Sequence, residues 1–184
     1  MNAQKQYGAS SLRILADAEY GIKRLREEPE QYGFYLRGTL ASLHGVGYYL
    51  LEEYNQKFGL GIRFGEKLDI GSFKKRAAEK KNLEALKFIG SYEKGWKKLL
   101  KDPVVKLIIG PFGERHVVIH REQATMQVHH TLLTPDQHLV EVGKQTRHFL
   151  DRQHEQVPEL EVPDHCEYCL AKLKGFRISL IARF

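Results

Sequence analysis

Between Tyr32 and about Lys57, apolar or small residues recur at Leu36, Leu40, Leu43, Gly47, Leu50 and Tyr54. Steps of three and four keep these positions on one stripe of a 3.6-residue helix. A stripe running the length of such a helix has to be covered by other elements, which calls for a helical bundle. Gly38, Gly45 and Gly47 lie within it, and each costs up to ~1 kcal/mol relative to alanine in a helix interior. They are expected to let another helix approach closely. Gly59-Leu60-Gly61 ends the element.

The other helices follow from the same periodicity. Ser10 to Glu28 carries Leu12, Leu15, Ala18, Ile22 and Leu25 on one face and is closed by Pro29. Ser72 is expected to cap a third helix that runs to Leu100, with a break near Asn82. Its inward residues would be Phe73, Ala77, Leu86, Ile89, Trp96 and Leu99. Lys74, Lys75, Lys80, Lys81, Lys94, Lys97, Lys98 and Lys101 make this the most basic stretch. It reads either as a solvated helix face or as an RNA-contacting one. Asp102-Pro103 is a helix start, with Asp as N-cap and Pro at the first position. Val104 to Ile109 gives a short apolar turn or two. Asp164 and Glu167 form a capping box for a last helix reaching about Ala182, with Cys166, Cys169, Leu170, Leu173, Phe176 and Leu180 as its stripe.

From about residue 123 to 150 the period changes. Thr125, Gln127, His129 and Thr131 alternate with Met126, Val128, His130 and Leu132, Thr134-Pro135-Asp136 is a turn, and His138 to Val142 is a return strand. This predicts a small β-hairpin inserted in a mainly α chain. No internal repeat or domain boundary interrupts residues 1–184, so a single domain is expected.

At 28% charged and 42% hydrophobic residues the composition is that of a globular chain. No apolar run approaches the ~20 residues of a membrane span. The polar start Met1-Asn2-Ala3-Gln4-Lys5-Gln6 has no apolar stretch behind it and predicts no secretory signal. With two cysteines, the expectation is a cytoplasmic protein without membrane attachment. A net charge of +6 and a pI near 9.2 permit a polyanionic partner without demanding one.

The chemistry-bearing stretch is Gly113 to Glu122. Arg115 and His120 stand in an R-x4-H spacing, with His116 and Arg121 beside them and Val117-Val118-Ile119 between. Arginine is always charged and holds phosphate bidentately, and histidine exchanges a proton near neutral pH. Together they suffice to cleave a phosphodiester without a metal. As a strand, His116, Val118 and His120 would share a face. As a helix, His116 and His120 would, while Arg115 and His120 stand ~140° apart. Convergence would then need the length of arginine, a helix end or a second subunit. Gly110-Pro111-Phe112-Gly113 breaks the chain just ahead and would put Arg115 at the start of a new helix, where N–H groups favour anions.

Other constellations are weaker. Cys166-Glu167-Tyr168-Cys169 has no second pair to complete a zinc site and falls on an apolar stripe, so it reads as core. His116, His120, His129 and His130 form a histidine-rich group, but the general base of the H-E-x-x-H zinc motif is replaced by Val117. Neither a metal nor a cofactor is expected. Arg37 and His44, spaced R-x6-H, lie within the periodic helix and read as core or interface residues.

The stretch Arg115-His116-Val117-Val118-Ile119-His120-Arg121 resembles the motif of the HEPN superfamily, helical proteins that carry R-x4-6-H, commonly with Asn after the arginine. His116 departs from that residue. Tyr35 to Val46 resembles the long second helix of HEPN-like bacterial proteins, Phe88 to Pro103 the helix leading to their motif, and Cys166 to Leu173 their closing helix. The resemblance implies a HEPN-like helical bundle and a metal-independent RNase working as a homodimer. Arg115 would hold the scissile phosphate, His120 would transfer protons and His116 would orient or assist, with Arg121 an added basic contact to RNA. It also implies a toxin or defence role with a neutralising antitoxin. The competing reading is a non-catalytic HEPN-like module that binds a nucleotide, RNA or a protein.

Overall fold

The structure, a computed structural model, describes residues 9–63, 66–110, 125–133, 139–148 and 161–184, the two strand segments by their backbone alone. The chain is mainly helical. In order come α1 (Ala9–Glu27), a 3-10 turn (Pro29–Gln31), α2 (Tyr32–Lys57), α3 (Ile70–Glu79), α4 (Leu83–Leu99), α5 (Pro103–Ile109), β1 (Thr125–Leu133), β2 (Leu139–His148) and α6 (Val162–Ile181). The strands pair antiparallel, Thr125 opposite His148 and Leu133 opposite Leu139, with an irregularity between His130 and Thr131. The expected turn Thr134-Pro135-Asp136 lies outside the described residues.

α2 is the central element. Leu36, Leu40, Leu43, Gly47, Leu50 and Tyr54 are all buried, as their spacing predicts. α1 packs along α2, and α6 touches α1, α2, α4 and α5. Buried Cys166, Cys169, Leu170, Leu173, Phe176 and Leu180 form its inner face. Two of the three noted glycines do not have the expected role. A side chain at Gly47 would fall 2.8 Å from both the Trp96 ring and the Tyr92 hydroxyl, so this glycine brings α4 onto α2. Gly38 has nothing within 4 Å, and Gly45 meets only Tyr49 and Ile14 at ordinary distances. Gly21, which the periodicity did not single out, admits Thr39 of α2 against α1.

Buried polar contacts correct several end assignments. Leu12 is 52% exposed rather than buried. The inward line of α1 runs Ser11, Leu15, Ala18, Ile22 and Leu25, and the Ser11 amide donates to buried Glu53 at 2.6 Å. Arg177 of α6 donates to the Ser11 hydroxyl at 2.7 Å, tying α6 and the first turn of α1 to α2. α3 is capped by Asp69, not Ser72. Ser72 is the third residue of a reciprocal box in which each side chain receives the other's amide at 2.8 and 2.9 Å. These bonds, with Lys67, hold the Asp69 carboxyl down at about 2. The expected break near Asn82 is present, since Lys81 turns left-handed at φ 51° and Asn82 caps α4 through the Ala85 amide. Asp164 and Glu167 do not cap α6, which starts after Glu161. They receive Arg26 of α1 at 2.7 and 2.6 Å.

Candidate functional site

Arg115, His116, His120 and Arg121 lie outside the described residues, as do the side chains of His129 and His130. Their frame is on view. Asp102 accepts the amides of Val104 and Val105 at 3.1 and 3.3 Å, so it is the N-cap of α5 that its position before Pro103 predicts. It also takes the Tyr168 hydroxyl of α6 at 2.7 Å, with Lys172 at 3.6 Å. Burial pushes the Asp102 carboxyl up, but the Tyr168 and backbone hydrogen bonds outweigh it and leave the group below its ordinary value. α5 is therefore pinned at its start and buried along Val104, Val105, Leu107, Ile108 and Ile109. It ends at Gly110, whose N–H bonds Lys106, so the chain enters the 111–124 segment from a fixed point.

Arg37 and His44 are exposed on α2 and are not core residues. His44 borders an open groove of about 490 Å³ with Tyr48, Trp96, Ile109 and the start of α3. Tyr92 and Trp96 stack along its wall at 5.8 Å and 7°. Two of its polar groups are already engaged: the Tyr92 hydroxyl donates to the Gly47 carbonyl, and Asp69 is held by Ser72 and Lys67. Apolar and without an arranged set of reacting groups, it offers shape more than chemistry.

Cys166 and Cys169 form no disulfide and are buried within the helical core. Burial, then the neighbouring Cys166 and Asp102, pushes the Cys169 thiol far above its ordinary value, away from the thiolate that nucleophiles and metal sites need. Among the described residues, no group of three or more His, Cys, Asp or Glu side chains is placed to hold a metal. No helix among them is long and apolar enough to cross a membrane. Both thiols should resist a water-soluble thiol reagent in native protein and react after unfolding in urea. Stoichiometric native labelling, or zinc retained through them, would overturn their assignment to the core.

Comparison with protein-family models, curated proteins and solved structures finds no match to this chain.

Proposed function

We propose that the chain is a metal-independent endoribonuclease of toxin or defence type, with a HEPN-like helical bundle, a β-hairpin inserted before its closing helix, and Arg115 and His120 as reacting groups. The carrying observation is the R-x4-H stretch itself, resembling the HEPN motif and lying between helices that resemble those flanking it. The capped start and buried length of α5, which precedes the motif, support the reading, because a catalytic loop or helix start needs a rigid support.

The reaction is internal transfer. The ribose 2′-oxygen attacks the adjacent phosphorus, the bond to the 5′-oxygen breaks, and the ends are a 2′,3′-cyclic phosphate and a 5′-hydroxyl. Arg115 holds the phosphate and stabilises the charge that builds on it. His120 takes the proton of the 2′-hydroxyl or returns one to the leaving oxygen. A homodimer supplies two such histidines at one site and removes the angular separation within a single helix. α2 offers room for a second copy, with Phe34 and Tyr48 67% and 43% exposed and Gly38 open between them.

Purified protein should cleave a mixed RNA pool with those ends and be indifferent to EDTA. It should run as a dimer at micromolar concentration by light scattering. Absence of cleavage would pass the reading to its rival, a non-catalytic module binding a nucleotide, RNA or a protein. A monomer would remove the shared site, and inhibition by EDTA would return attention to the histidine-rich group. Co-purification with a neutralising protein would support the toxin assignment.

A further inference from the structure

The outward face of α4 carries charge of one sign. At ~100° per residue, Lys87, Lys94 and Lys98 lie within ~60° of the direction opposite buried Ala85, Phe88, Ile89 and Tyr92, and every charged residue in that sector is a lysine. Lys101 continues the line beyond the helix. The acids of α4 stand elsewhere: Glu84 is in the first turn, outside the sector, and Glu93 is on the flank facing α3. Lys74 at 2.5 Å and Lys97 at 2.8 Å engage Glu93, and their hydrogen bonds hold its carboxyl at about 2. No such partner reaches Lys87, Lys94, Lys98 or Lys101 among the described residues.

Gly90 lies between Lys87 and Lys94 on the same face. It is exposed, and a side chain there would meet nothing within 4 Å. Glycine in a helix interior destabilises it, and no close packing explains this one. What it does provide is a bare strip of backbone in the middle of a line of ammonium groups.

We propose that this face of α4 is a track for the phosphate backbone of single-stranded RNA. Lys87 to Lys98 spans ~16 Å, long enough for several phosphates of an extended strand and more than a single anion requires. Lysines bind phosphate as point charges, so the track attracts and holds the strand without reading its bases. A membrane surface fits less well: interfacial helices turn a broad apolar face outward, whereas the apolar face of α4 is buried and Leu83 is the one large apolar residue within the lysine sector. The choice of RNA over DNA rests on the function proposed above.

The test uses the full-length protein and a fluorescent 2′-O-methyl RNA oligonucleotide, which has no 2′-hydroxyl to attack the phosphate, so binding is read apart from cleavage. Lys87→Gln/Lys94→Gln/Lys98→Gln should reduce the slope of log affinity against log salt by ~2 and weaken binding on the order of 100-fold at 0.1 M salt, from ~0.7 released counterion per contact. A charge-matched control, Arg13→Gln/Lys23→Gln/Lys174→Gln, should bind as the parent does. Gly90→Glu separates binding from folding, since it should raise the urea midpoint while lowering RNA affinity. The track is overturned if the triple lysine variant binds like the parent, if the control loses as much, or if only anionic vesicles respond. Lysine-dependent binding without any cleavage would keep the track and remove the nuclease reading. Cleavage unaffected by the lysine changes would do the reverse.

Discussion

His120→Ala is expected to bring RNA cleavage below detection, and Arg115→Ala to do the same. A positioned acid–base group contributes about 10²–10⁴-fold, and loss of one donor to a developing charge costs on the order of 10²–10³-fold. Neither change should unfold the protein. The buried stripes of α1, α2, α4 and α6 use neither residue, so far-UV circular dichroism should match the parent. His116→Asn places the commoner residue of the resembled motif beside Arg115 and should keep or raise activity. The measurement is cleavage of a mixed RNA pool followed by end-group analysis. Activity surviving both alanine changes would move the site elsewhere in the chain. Activity lost together with the dimer would make the residues structural.

Periodicity revealed much of the helical frame because burial repeats along a helix. It located the stripe of α2, the cysteine face of α6 and the break at Asn82, whose short side chain makes it a natural cap. What periodicity does not carry is the identity of a partner across the bundle. Asp164 and Glu167 have capping-box spacing, yet the nearby Arg26 of α1 takes both carboxylates. Leu12 looked like a core residue until Ser11, Glu53 and Arg177 occupied the inward direction with hydrogen bonds. Asp69, three residues before Ser72, is the other half of that reciprocal cap, and the pair rather than Ser72 alone marks the start of α3. The R-x4-H spacing was visible directly. Its chemical meaning depended on the resemblance, since two residues and an interval do not define a reaction.

The largest stability effect should come from Phe88→Ala. This ring is fully buried and stacks on Tyr54 of α2 at 3.9 Å and 17°. Around it stand Phe58 at 5.8 Å, Phe73 of α3 at 5.6 Å, Tyr92 at 6.1 Å and Phe184 edge-on at 5.6 Å. One side chain thus joins α2, α3, α4 and Phe184. Neighbours fixed to so many elements cannot all collapse into the space it leaves. The expected loss is therefore in the upper part of the ~3–5 kcal/mol range for a buried aromatic truncated to alanine. Against the ~5–15 kcal/mol that separates most folded domains from unfolding, this is a large fraction. At ~1–3 kcal/mol per molar, the urea midpoint should fall by well over 1 M with an unchanged slope. Phe88→Leu, which keeps a substantial apolar volume, should lose clearly less. Near-equal losses would show that the aromatic faces, rather than the filled space, hold α2 to α4. A loss under ~1 kcal/mol for the alanine variant would mean that this junction reorganises without Phe88.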